Sequence, residues 1–475
     1  MVYRDPPPEQ LTPPKNRKEL FERIASGHKD DVIFEEMTRL GFWSGDRPRP
    51  FDPPDEIARA AELRKRLSKL RESASALGDL VRQELELKKQ RMAESRKKRE
   101  LARQKKLADR TAAKAATQEA KKTELRYLGA GVSAGLGRTT SDADRLRDAK
   151  LPIAHTALEL ASAIGVTLSE LRFLAFAREV STTTHYRRFT IPKRSGGERV
   201  ISAPMPRLKH VQHWILEHIL EPIELAAPAH GFVPGRSTVS NAVEHVGAAV
   251  VINVDLRDFF PTVTYRRVKG LFAKLGYSEQ VATVLGLICS EPDIVESTLD
   301  GVTYYAARGP RRLPQGAPTS PAITNVMCRR LDNRIAGYAR AHGLTYTRYA
   351  DDLTLSSKDG AIDVGAVLGF VRRVVAAEGF AVHPDKVRIV RRGRRQEVTG
   401  IVVNEKPGVV RAELRRFRAL LYQIEKDGPA GKRWGHGGDV LAAALGYASY
   451  VAMVDPVKGQ GLRERVLALR ARHGA

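Results

Sequence analysis

The chain has 475 residues, with 80 Lys and Arg against 55 Asp and Glu and a formal net charge of +25. That length predicts two or three domains, and the 42% apolar content can support a sizeable core. The charge points to a polyanion, nucleic acid ahead of an anionic membrane surface, and two cysteines, Cys289 and Cys328, outside any CxxC or His-rich cluster argue against a disulfide framework or a structural zinc site.

The N-terminus, MVYRDPPPEQLTPPK, lacks an apolar core of the signal-peptide kind, and no run of about 20 apolar residues follows anywhere. A cytoplasmic protein with no membrane partner is expected. Residues 1–57 are Pro-rich at both ends. Between them Phe34, Met37, Leu40, Phe42 and Trp43 call for burial in a small folded element. Residues 58–126 read as a basic helical arm. Leu63, Leu67, Leu70, Ala74, Leu77 and Val81 form a stripe on one helical face. Beyond about residue 84 the arm has strong helix formers and almost no apolar face. It is either a solvated helix or an electrostatic arm lying along phosphates. Residues 127–149 include LGAGVSAGLGRT and are expected to be a Gly-rich hinge.

From about 150 the texture is mixed α/β. Helical patterns alternate with short strand-like runs such as RFTIPK, ERVISAP, VVINVDL, LTYTRYA and DLTLSS. Residues 150–405 form this part. Residues 406–475 read as helices, with Leu414, Phe417, Leu421 and Ile424 on one face and Arg411, Arg415, Arg416 and Arg418 mostly on the other.

The chemistry lies in two acidic strand segments. VVINVDLRDFF stops its apolar run at Asp255, and TRYADDLTLS places Asp351 and Asp352 at a tight hairpin. Asp is depleted in strands, and three carboxylates brought together repel one another unless divalent cations sit among them. Mg²⁺ takes carboxylate oxygens together with substrate phosphates. Two such ions, roughly 3.5–4 Å apart, stabilise the attacking and leaving oxygens of a phosphoryl displacement.

These residues resemble a known family. YADDLTLS resembles the Tyr-X-Asp-Asp box of reverse transcriptases, and VINVDLRDFFPTV resembles their first palm motif, with an aromatic residue five places after Asp255. LPQGAPTSPAITN resembles the motif that lies against the incoming nucleotide. RFTIPKRSGGERVISAPMPRLKHVQHWIL resembles the fingers segment, and HGFVPGRST the motif after it. NAVEH (241–245) and VTG (398–400) are similar to the two signatures of bacterial retron reverse transcriptases. The resemblance covers about 150–475, leaving an N-terminal extension.

It implies an α/β (α+β) right-hand polymerase with fingers, an antiparallel-sheet palm and a helical thumb. Asp255 and Asp351 would bind both Mg²⁺ ions and Asp352 would support them. Phe260 would exclude a ribose 2′-OH, with Phe259 as the alternative ring. Lys193 and Arg199 would hold the triphosphate, or else contact the backbone phosphates. Gln315 and Gly316 would let the chain approach the nucleotide, and Lys386 would protonate the leaving pyrophosphate. Asn241 and His245 are read as structural or RNA-contacting, and Arg415 and Arg416 as RNA-binding. The implied partners are deoxynucleoside triphosphates, a cognate structured non-coding RNA, its DNA product and a separate effector protein in anti-phage defence. The rivals are a group II intron or diversity-generating enzyme and a non-catalytic RNA-binding scaffold.

Overall fold

The structure, a computed structural model, describes residues 13–26, 29–44, 59, 62–63, 65–67, 69–71, 80–192, 196–435 and 438–473. The chain divides into two compact units, residues 1–112 and 113–475.

In the first unit, helices Arg17–Ser26 and Lys29–Arg39 precede the start of a 44-residue helix, Leu80–Thr123. The long helix is exposed at every position from 87 to 119, as a segment with strong helix propensity and no apolar face should be. The expected burial around the short helices is partial among the described residues. Met37, Leu40 and Phe42 are exposed, while Phe34 and Trp43 are half-buried and meet edge-on, ring centroids 6.0 Å apart. Two short helices carry too little apolar area to close a core. Leu63, Leu67 and Leu70 are likewise exposed, while Ala74 and Leu77 lie outside the described residues.

The second unit corrects the hinge expected at 127–149. Leu128, Leu136 and Leu146 are buried in the main core. Ala177 N donates to Leu128 O at 2.7 Å, and a Cβ on Gly129 would meet Ala177 O at 2.2 Å. Gly129, and Gly135 against Glu279, allow close packing here.

Eleven strands are described in this unit: β1 (Val180–Ser181), β2 (Tyr186–Pro192), β3 (Glu198–Pro204), β4 (Val250–Asp255), β5 (Glu291–Leu299), β6 (Val302–Arg312), β7 (Leu344–Tyr349), β8 (Asp352–Ser357), β9 (Arg388–Arg391), β10 (Glu397–Val398) and β11 (Ile401–Val402). The palm is the antiparallel sheet β7-β8-β4-β9. Its central strand β4 is apolar and buried at Val250, Val251, Ile252 and Val254, because helices and loops cover both faces. The fingers carry the long hairpin β2–β3. A second hairpin, β5–β6, pairs with β1. The thumb consists of helices Arg411–Asp427, Val440–Val454 and Pro456–His473 around their own core of Phe417, Leu421, Ile424, Val451 and Val466. The last two helices cross so closely that a Cβ on Gly459 would lie 2.0 Å from Ala452 Cα.

The NAVEH and VTG stretches, far apart in sequence, meet behind the palm. Thr399 Oγ1 donates to Thr238 O at 3.0 Å, and Ala242 packs with Val398, Ile401 and thumb residue Val454. No helix among the described residues is long and apolar enough to cross a membrane.

Candidate active site

Asp255 ends β4, Asp352 begins β8, and the two are register partners. Asp351 occupies the two-residue turn between β7 and β8, where Tyr349 pairs with Asp352. Backbone bonds fix the group: Leu256 N donates to Asp351 O at 2.9 Å, and His383 N to Asp255 O at 2.8 Å. Three carboxylates thus converge at one end of the palm sheet, as the sequence predicted.

Their electrostatics follow from this crowding. The Asp351 carboxyl is raised above the ordinary aspartate range, first by burial and further by Asp255, while Lys386 and Arg199 draw it down. Asp352 is pushed up to about 6, first by loss of water around its carboxyl and then by Asp351 and Asp255, with Lys386 and Arg388 opposing. The residue as a whole still presents an open surface to the cleft, so crowding by like charges is the firmer cause. Lys386 Nζ reaches both Asp255 oxygens, at 3.0 and 3.1 Å. An ammonium therefore already sits where a cation would neutralise the cluster, and the donor set of three carboxylates suits a hard divalent ion.

This gives a stability prediction. A carboxylate whose folded value lies above its unfolded one penalises the fold when charged. The penalty is full above about pH 7, fades as the pH falls through 6 and is gone below the unfolded value. After discounting for solvent screening, Asp352→Asn is expected to stabilise the metal-free protein by about 1 kcal/mol at pH 7.5. The gain should shrink toward pH 5. Thermal melts in chelator at the two pH values check it, and a gain that does not depend on pH would contradict the assignment.

The turn bearing Asp351 is strained. Ala350 lies at φ 56°, a position hairpins of this length usually give to glycine. Buried groups hold it there. Arg348 Nη1 donates to Ala350 O at 3.1 Å and to Asn325 Oδ1 at 2.9 Å. Its other nitrogens form a two-pronged pair with Asp332 at 2.8 and 2.7 Å, and both side chains are 0% exposed. Tyr346 OH also donates to Asp332. From the other side Gly231, of the HGFVPGRST stretch, lies so close that a Cβ would meet Ala350 N at 2.4 Å. Sequence reasoning missed Arg348, Asp332 and Asn325. The available signal was an arginine in the middle of an otherwise strand-like run beside the paired aspartates.

The remaining predicted residues divide. Arg199 is exposed on β3 of the fingers hairpin and exerts a Coulomb pull on Asp351. Lys193 lies outside the described residues. Phe259 is buried against Phe380, centroids 5.4 Å apart, which leaves Phe260 as the half-buried ring. Gly316, at φ 114°, packs against the fingers: a Cβ there would meet Ile201 Cγ2 at 2.8 Å, and Ser202 N donates to Gln315 O at 2.7 Å. The close approach found for Gln315 and Gly316 is thus to strand β3.

Asn241 and His245 are each 1% exposed, which supports the structural of the two readings. His245 bridges Ser356 and Thr347 at 2.7 Å each, tying β8 to β7 beneath the aspartate turn. Burial and His230 push its imidazole down to about 3, so it stays neutral. The packing that buries it comes from distant strands, which the local sequence could not reveal. Arg415 and Arg416 are exposed on the thumb, Arg416 lying 5.9 Å from the Trp434 ring centroid. Among the described residues no group of three or more His, Cys, Asp or Glu has metal-holding geometry on its own, consistent with Lys386 occupying the Asp255 oxygens.

Comparison with known proteins adds identity to this geometry. The family described as "Reverse transcriptase (RNA-dependent DNA polymerase)" matches residues 191–409. The retron Mx162 reverse transcriptase of Myxococcus xanthus is 42% identical over 402 residues, covering 79% of this chain and 82% of the relative. The retron Mx65 enzyme of the same organism is 42% identical over 315 residues, covering 66% and 72%. The retron Ec86 enzyme of Escherichia coli is 34% identical over 283 residues, covering 59% and 81%.

Proposed function

Because the chain belongs to the retron reverse transcriptases, and is thus an RNA-directed DNA polymerase with an RNA template and a DNA product, we propose that it copies part of a cognate structured non-coding RNA into a branched RNA–DNA hybrid primed from an internal guanosine 2′-OH. The observation that carries the chemistry is the convergence of Asp255, Asp351 and Asp352 at one end of the palm sheet.

Divalent-metal dependence belongs to the family, and Mg²⁺ is the ion this reading assigns. When bound, two such ions supply Lewis acidity at the attacking and leaving oxygens. The protein's own groups do the rest. Asp255 and Asp351 hold the ions and Asp352 supports them. Arg199, with Lys193, holds the triphosphate through charge-assisted bonds. Gln315 and Gly316 brace the fingers strand behind the nucleotide. The Phe260 ring occupies the space of a ribose 2′-OH, Phe259 being committed to the core. Lys386, released from Asp255, holds a proton at Nζ for the leaving pyrophosphate. Arg415 and Arg416 contact RNA from the thumb, and the exposed helix Leu80–Thr123 adds sequence-independent phosphate contacts. The hybrid serves anti-phage defence together with a separate effector protein.

The test is to supply deoxynucleotides and Mg²⁺ to the full-length protein purified with its bound RNA. The expected product is DNA joined to RNA by a bond that ribonuclease leaves intact and a 2′,5′-debranching enzyme cuts. DNA with a free 5′ end would overturn the priming step. In the same assay Phe260→Ala should lower the preference for deoxynucleotides over ribonucleotides in kcat/KM at least tenfold. An unchanged preference would remove the gate from Phe260.

A further inference from the structure

Away from the aspartates, the unit spanning 113–475 carries a second surface whose chemistry the polymerase reaction does not use. Where the long helix ends, a groove of about 790 Å³ opens between that helix and the loop after helix Leu168–Ala175. Its wall is a ladder of rings and a guanidinium. Tyr127 meets Phe176 edge-on, centroids 5.8 Å apart. Arg178 Cζ lies 4.9 Å from the Phe176 centroid and 5.1 Å from that of Phe173. Phe173 in turn meets His185 at 4.9 Å.

Two of these rings remain in water. Tyr127 is 54% exposed and Phe173 is 39% exposed. Arg178 covers one side of the Phe173 ring and Phe176 meets Tyr127 edge-on, and both Tyr127 and Phe173 keep exposed ring surface beyond those contacts. Arg172 also lines the groove. Among the described residues neither Arg172 nor Arg178 has a carboxylate at ion-pair distance, and burial holds the Arg178 guanidinium below its ordinary value. The one ion pair at the rim, Arg126 with Glu124, is solvent-exposed.

We propose that this groove, which contains none of the active-site residues, binds a single-stranded RNA segment. Unstacked bases lie on Tyr127 and Phe173, and the backbone phosphates meet Arg172 and Arg178. Exposed aromatic surface interleaved with guanidiniums that lack a carboxylate partner matches the two repeating parts of a single strand, its bases and its phosphates. An acidic peptide would use the charges and leave the rings idle, and a duplex would hide the bases from them. The inference rests on the reading that the enzyme holds a structured RNA, and it places an unpaired segment of that RNA in the groove.

The experiment uses the full-length protein and fluorescent 12-nucleotide probes: oligouridine, oligo-dT and the same length as duplex. Tyr127→Ala with Phe173→Ala, and separately Arg172→Glu, should each weaken single-strand binding tenfold or more and leave duplex binding unchanged. Extension of a saturating preformed primer–template reports the polymerase separately and should not change. A 5-iodouridine probe should crosslink within 126–127 or 172–178. The loss is expected to be larger for oligouridine than for oligo-dT, and the reverse order would overturn RNA as the occupant. Unchanged single-strand affinity in the folded Arg172→Glu protein overturns the proposal, as does competition by polyglutamate as strong as that by oligouridine. Loss of extension in the unmodified protein would instead undermine the polymerase reading.

Discussion

Asp351→Asn is expected to reduce DNA synthesis by about three orders of magnitude or more while leaving RNA affinity within about twofold of the parent. The amide keeps the shape of the side chain and its place in the β7–β8 turn, but loses the charge on which a divalent ion depends. Several kcal/mol of transition-state stabilisation vanish with that charge, which is on the order of a thousandfold in rate. The fold should not suffer, because the Asp351 carboxyl is raised by burial and by Asp255, so its charge is a burden to the metal-free protein. Single-turnover primer extension, with filter binding as the control, measures both quantities. Activity within tenfold of the parent would sink the assignment of Asp351 as a metal ligand.

The second large effect is expected at Asp332, which touches no substrate. Its carboxylate and the Arg348 guanidinium are wholly buried and bonded on both prongs. Removing one partner strands the other charge in the interior, at roughly 3–5 kcal/mol. Asp332→Ala should therefore lower the melting temperature by roughly 10 °C and abolish synthesis. The double variant Asp332→Leu with Arg348→Met removes both charges and should recover most of the melting temperature. It should not recover activity, because the Ala350 carbonyl then loses its buried donor and the left-handed turn that aims Asp351 is held only from the Gly231 and Leu256 sides. A double variant that is both stable and active would show the pair to be mere ballast. A higher Mg²⁺ requirement in Arg348→Lys, with RNA affinity unchanged, would mark positioning directly.

The sequence was most legible where the chemistry is local. Asp255 at the end of an apolar run and Asp351–Asp352 in a tight hairpin could be read because strand, turn and charge lie within a few neighbouring residues, and the structure makes Asp255 and Asp352 register partners. The right-hand fold was legible for the same reason, through motifs in order. The relatives at 42% identity are retron enzymes, in line with the NAVEH and VTG stretches. What escaped depends on contacts between distant segments. Nothing near Asn241 or His245 announces that β7, β8 and the VTG turn will bury them. Gly129 looked like flexibility because its role, close approach to Ala177, is visible only once residue 177 is in place. The apolar residues at 34–43 misled in the opposite direction, since a hydrophobic pattern predicts burial only when enough partner surface exists.

The order of strands in the palm also sets a timetable. Strand β4 lies between β8 and β9, so both of its hydrogen-bonding edges stay vacant until residues 352–357 and 388–391 have been synthesised. At about 5–20 residues per second on the ribosome, that is a wait of several seconds. Pairings over such separations close slowly in any case. Until β8 emerges the six-residue strand VVINVD has two open edges, and until β9 emerges it keeps one, an arrangement prone to mispairing with another chain. The nascent protein is thus expected to lean on chaperones at this stage. Its catalytic centre cannot exist on a partial chain, so copying cannot begin until the palm has been translated through β9.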